Sequence, residues 1–124
     1  MEALKVLIGD GSSFIRILLT TTLESMGFKV VGTAKDSQEA ADKYLEFKPN
    51  IMLLDLAIAD VNDFAVIRAI QNDNPSAAII LMIPEKLDIA DVIVDAVRAG
   101  AKGYMKKPIS PEELKARIGS ALRR

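Results

Sequence analysis

The sequence predicts an α/β fold, a parallel sheet wound with helices on both faces. Three observations carry that expectation. Short apolar runs recur that are too brief for buried helices, Ile51–Leu54 and Ala77–Ile83 being the plainest. Amphipathic stretches with capping residues stand between them. The two kinds of segment alternate strictly, which calls for right-handed crossovers between parallel strands.

Taken in order, Leu4 to Ile8 reads as a strand ending at Gly9-Asp10-Gly11, a tight loop. Ser12 or Ser13 caps the first helix, in which Ile15, Leu18, Leu19, Thr22 and Met26 recur at helical spacing until Gly27. Phe28 to Ala34 is the second strand. Asp36 and Glu39 form a capping box for a second helix carrying Ala40, Ala41, Tyr44, Leu45 and Phe47 on its apolar side, up to Pro49. The third strand, Ile51 to Asp55, has four apolar residues in a row, as a strand buried on both faces requires, and closes on a carboxylate. Leu56 to Asn62 is expected as a loop, and Phe64, Ile67 and Ile70 mark a third helix ending near Asn72-Asp73-Asn74-Pro75.

Ala77 to Ile83, stopped by Pro84, is the fourth strand. Asp88 caps a fourth helix with Ile89, Val92, Ile93, Ala96 and Val97 on one face, and Gly100 falls at its C′ position. Lys102 to Met105 is the fifth strand. Ser110-Pro111-Glu112-Glu113 combines a capping box with proline at the first helical position, and Leu114, Ile118 and Leu122 then face the core of a fifth helix. Five strands and five helices suit the flavodoxin-like order 2-1-3-4-5, whose switch point lies between strands one and three.

Composition narrows the function. At 124 residues the chain is expected to form one domain, residues 1–124, with half its residues hydrophobic and a net charge of −1. No global field draws it to nucleic acid or to an acidic membrane surface. Cysteine and histidine are both absent, which removes thiolate and imidazole metal sites, Ser-His and Cys-His nucleophile pairs and a disulfide framework. No apolar run reaches the length of a membrane span and the amino terminus is no signal peptide, so a cytoplasmic location is expected.

Asp10 and Asp55 end the two strands that flank the switch point, where open α/β sheets place their ligands. Each alone is a common turn residue. Together, with no softer ligand in the chain, they suit a hard divalent cation such as magnesium, which takes oxygen ligands and keeps several waters. A carboxylate beside such an ion can also attack phosphorus, and Lys107, just past the fifth strand on the same edge, can neutralise phosphoryl oxygens. Two other readings stay open on the residues alone. Gly9-Asp10-Gly11-Ser12-Ser13 can be read as a phosphate loop for a flavin, although no aromatic loop is available to stack one. A hydrolase is the other, although no general base beyond Asp55 stands at that edge.

With these residues in view, the chain resembles the receiver domain of two-component response regulators, most closely the single-domain chemotaxis type. The likeness covers essentially its whole length. Leu7-Ile8-Gly9-Asp10-Gly11-Ser12-Ser13-Phe14-Ile15-Arg16 is similar to the family's opening strand and acidic pair, Leu53-Leu54-Asp55-Leu56 to its phosphoacceptor motif, and Gly100-Ala101-Lys102-Gly103-Tyr104-Met105-Lys106-Lys107-Pro108 to its closing motif. The resemblance implies that a histidine kinase phosphorylates Asp55 and that Lys107, ahead of a cis Lys107–Pro108 bond, contacts the phosphoryl group. It also implies magnesium held by Asp10, Asp55 and the Ala57 carbonyl, and a readout surface formed by the fourth helix, fifth strand and fifth helix for a protein target or output domain.

Three departures bear on that mechanism. Gly11 stands where the family has its second acid, at an expected cost to metal binding of about 1 to 3 kcal/mol. Ile83 stands where the family carries a Thr or Ser hydroxyl that couples the phosphoryl group to an aromatic switch, here Tyr104. Tyr104 also reads simply as a strand aromatic packed against the fourth helix. Ile58-Ala59-Asp60-Val61-Asn62-Asp63 lacks the proline and glycine usual after the acceptor, leaving Asn62 as the residue expected to take positive φ. The alternative reading is therefore a degenerate receiver, kept as an interaction module that works without phosphorylation.

Overall fold

The computed structural model describes residues 2–88 and 90–123. Five strands, β1 (Lys5–Gly9), β2 (Lys29–Ala34), β3 (Ile51–Asp55), β4 (Ala78–Ile83) and β5 (Gly103–Lys106), form one parallel sheet in the order β2-β1-β3-β4-β5. The expected strands differ from these by a residue or so at their ends. Such shifts are set by which neighbour each edge residue pairs with, information that local composition does not carry.

Alternation along the strands sorts the core into two layers. Leu7, Met52, Leu54, Ile79, Leu81 and Ile83 face one side, which is covered by α2 (Ser37–Phe47), α4 (Ala65–Asp73) and α5 (Ala90–Ala99). Val6, Ile8, Ile51, Leu53, Ile80 and Met82 face the other, under α1 (Ser13–Ser25) and α6 (Pro111–Leu122). Residues 51–54 of β3 are wholly buried, so both faces of that strand are apolar, as its uninterrupted run requires.

Helix boundaries follow the capping chemistry. Ser12 is the cap of α1, its Oγ accepting from the Ile15 amide at 3.3 Å. Asp36 Oδ1 accepts from the Glu39 amide at 2.8 Å, and Ser110 Oγ from the Glu113 amide at 3.1 Å. The Glu39 and Glu113 carboxylates turn outward to Lys43 and Arg117, so each capping box contributes its first bond only. Gly27 and Gly100 take the left-handed backbone expected past a helix end, with φ of 92° and 128°. Asp88 Oδ1 accepts from the Ala90 amide at 3.3 Å ahead of α5, while Ile89, placed on the apolar face by its spacing, lies outside the described residues.

The structure corrects several expectations. There are six helices among the described residues, because the segment expected as a loop after β3 closes one turn, α3 (Leu56–Ala59). Leu56, Ile58 and Ala59 are buried there, and the Asp60 amide donates to the Leu56 carbonyl at 2.9 Å. Four residues are too few to display a helical period. Apolar faces are also narrower than the spacing implied. Leu18, Leu45, Val97 and Leu122 are exposed, while Leu23, Ala99 and Ala121 take core positions. Positive φ extends from Asn62 through Asp63 and Phe64, at 51°, 55° and 60°.

Candidate functional site

Parallel pairing brings the carboxyl ends of all five strands to one edge of the sheet. Asp10 follows β1, and its amide donates to Ala34 O at 2.9 Å. Asp55 is the last residue of β3. Lys107 follows β5, its amide donating to Ile83 O at 2.8 Å at the end of β4. Backbone bonds between neighbouring strands thus anchor two of the three side chains, and the third belongs to the central strand.

The three meet. Lys107 Nζ donates to Asp10 Oδ2 at 2.8 Å and to Asp55 Oδ1 at 3.1 Å. Asp10 is the only buried charged residue among those described, at 2% exposure. A carboxylate so enclosed needs compensation, which comes from Lys107 and from the Ser12 amide on Oδ1 at 2.9 Å. The Asp55 side chain is 16% exposed, so it is the carboxylate that an incoming group can reach. Burial alone pulls the Lys107 ammonium down, but hydrogen bonds and charges from Asp10 and Asp55 outweigh it and hold its pKa above the ordinary lysine value. The lysine is therefore a permanent cation at neutral pH. Two carboxylates and one ammonium leave one negative charge.

Sequence reasoning misses Arg16 as a site residue. From α1 its Nη1 donates to the Asp10 carbonyl at 2.7 Å, pinning the loop that carries the buried acid. Nothing in the spacing marks it, because a main-chain partner leaves no trace in residue type.

The donor chemistry fits magnesium in kind but is sparse in number. Asp10 and Asp55 offer hard oxygens, and Ala57, in the turn of α3 right after Asp55, is exposed. Among the described residues no group of three acidic side chains converges anywhere. Position 11 has room for a side chain. A Cβ built on Gly11 meets only the Lys35 carbonyl oxygen, at 3.9 Å.

Neither of the two remaining side chains bonds to this cluster. Ile83 is fully buried in the layer beneath α2, α4 and α5 and has no hydroxyl to present. Tyr104 is half-buried against that layer together with Val92 and Ile93 of α5, and the Arg117 guanidinium lies 5.6 Å from its ring centroid. This is the packing that the simpler reading of Tyr104 anticipates. The Lys107–Pro108 bond is cis.

The chain is similar to known proteins over most of its length. A family model described as the response regulator receiver domain matches residues 6–119. The chemotaxis protein CheY of Thermotoga maritima is 32% identical over 110 residues, which span 89% of this chain and 90% of that protein. The probable transcriptional regulator ycf27 of Guillardia theta is 38% identical over 120 residues, 97% of this chain, and the chain spans only 46% of that regulator's length. Among solved structures, a chain of the CheX–CheY–beryllofluoride–magnesium complex from Borrelia burgdorferi superposes with a TM-score of 0.83 at 28% identity, covering 94% of this chain and 87% of that one.

Proposed function

The chain belongs to the response regulator receiver domain family, and on that premise we propose that residues 1–124 act as one receiver domain whose phosphoacceptor is Asp55. Its role is that of a receiver in two-component signalling. One observation carries the assignment of the acceptor: Asp55 is the partly exposed carboxylate of a pair whose buried member, Asp10, shares the Lys107 ammonium with it.

In this reading an Asp55 carboxylate oxygen attacks the phosphorus of a kinase phosphohistidine. The new O–P bond forms as the N–P bond breaks, and the imidazole leaves with the electron pair of that bond. Lys107 faces the phosphoryl oxygens and offsets the charge that accumulates there. Asp10, fixed by the Ser12 amide and by Arg16 on its carbonyl, keeps Lys107 oriented. Asp10, Asp55 and the Ala57 carbonyl would hold magnesium, with water completing the shell. When bound, that ion supplies positive charge that screens nucleophile and phosphoryl group from one another. The new dianion then acts on the loops after β3 and β4 and on the α5–β5–α6 face, where a protein target or output domain would read it.

A second reading is favoured by Ile83, which is buried and without a hydroxyl. In it the fold serves as an interaction module independent of phosphorylation. Titration with beryllofluoride and magnesium, followed by amide chemical shifts, separates the two. Saturable shifts centred on residues 9–12, 55–59 and 107, lost in Lys107→Met, support the acceptor reading. Unchanged spectra at every magnesium concentration support the interaction module instead.

A further inference from the structure

Between the buried Ala59 of α3 and the buried Phe64 ahead of α4, the chain turns through left-handed backbone at Asn62, Asp63 and Phe64. Asn and Asp tolerate this conformation better than most side chains, whereas a bulky residue such as Phe64 is a genuine outlier there. Such backbone persists only where its surroundings hold it. Two contacts do so. The Phe64 side chain is buried in the core layer shared with Val66 and Ile67. Arg68, one turn into α4, donates Nε to the Asp63 carbonyl at 3.0 Å and sets Nη2 3.5 Å from the Asp63 carboxylate.

The ion pair is exposed and contributes little by itself. The bond to the carbonyl matters more, because it fixes the peptide plane between two left-handed residues. That peptide lies at the far end of the segment whose near end is Asp55. Helix α3 is one turn long and packs through Leu56, Ile58 and Ala59, and its far end leads through Asp60 and Val61 into the 62–64 turn that returns the chain to α4.

We propose that Arg68 is a positioning residue for the phosphoacceptor edge: by closing on Asp63 it holds the left-handed turn and, through it, helix α3 beside Asp55. The binding part of this inference rests on the reading of Asp55 given above. The structural part does not.

A cycle of four proteins tests it: wild type, Arg68→Gln, Asp63→Gly and the double variant. Glycine adopts the left-handed backbone unaided, so at position 63 it relaxes one of the three left-handed residues and lessens the need for the clasp. In the wild-type background Arg68→Gln is expected to raise amide hydrogen exchange across 56–61, and to weaken beryllofluoride binding in saturating magnesium, each by about threefold or more. In the Asp63→Gly background the same substitution is expected to change both by less than about twofold. Arg68→Lys, which can still reach the carbonyl, is expected to recover part of the loss. Equal losses with and without the Asp63→Gly substitution, or unaltered exchange in Arg68→Gln, overturn the proposal. If the wild type binds no beryllofluoride, the reading of Asp55 fails, and the exchange measurements still decide the clasp.

Discussion

Gly11 and Asp10 are neighbours in the chain and opposites in their surroundings. Asp10 is sealed and fully partnered, whereas Gly11 is exposed and faces open space, with the Lys35 carbonyl 3.9 Å from where a Cβ would stand. A side chain has room at position 11 without displacing backbone, and a carboxylate there would offer a third hard oxygen beside a pair that already carries one compensating ammonium. Gly11→Asp is therefore expected to tighten magnesium binding by about 10- to 100-fold, the equivalent of the missing charge in a partly wet site. Isothermal titration with magnesium measures it directly, and an unchanged affinity would mean that position 11 does not face the ion. Asp10, Asp55 and Lys107 are legible in the sequence because each ends a strand at the same sheet edge. Arg16 is not, since it acts on a main-chain carbonyl, and neither is the conformation of Asp63 and Phe64, which is imposed by burial and by Arg68.

At the scale of elements, the ends of helices hold most of what a sequence discloses. Ser12, Asp36 and Ser110 cap the helices they precede, and Gly100 has a φ of 128° and no room for a Cβ beside Gln71. What joins one helix to another is less visible. The buried Tyr44 of α2 donates its hydroxyl to Asp73 Oδ2 of α4 at 2.7 Å, and Lys48 Nζ reaches the same oxygen at 2.6 Å. Burial first, then the hydrogen bond to Asp73 and its charge, push the Tyr44 pKa up to about 12 from the ordinary 10. The folded protein thus keeps a proton that the unfolded chain releases above pH 10. Its contribution is complete below pH 10 and is lost as pH rises toward 12. Chemical denaturation across that window is expected to show wild type losing about 2 kcal/mol more stability than Tyr44→Phe. The comparison cancels Lys107, which titrates in both proteins. Parallel slopes would show that Tyr44 gives up its proton as readily folded as unfolded.

Over the whole molecule, topology does what no local motif can. Lys107 stands 97 residues from Asp10 and 52 from Asp55, yet its ammonium bonds to both, because the order β2-β1-β3-β4-β5 brings those strand ends to one edge. Strict alternation of short apolar runs with capped helices makes that order legible. The one-turn helix α3 is hidden, being too short to show a period, and so are the unequal exposures of Leu122 and Ala121, which depend on how α6 rolls against β4 and β5. No helix among the described residues is long and apolar enough to cross a membrane. The decisive property is whether this edge, with two carboxylates rather than three, accepts a phosphoryl group. Intact-mass analysis after incubation with acetyl phosphate and magnesium answers most directly. A single phosphoryl adduct in wild type, absent from Asp55→Asn and lost on mild alkaline treatment, is the predicted result. An unmodified wild type, or an adduct that persists in Asp55→Asn, would contradict it.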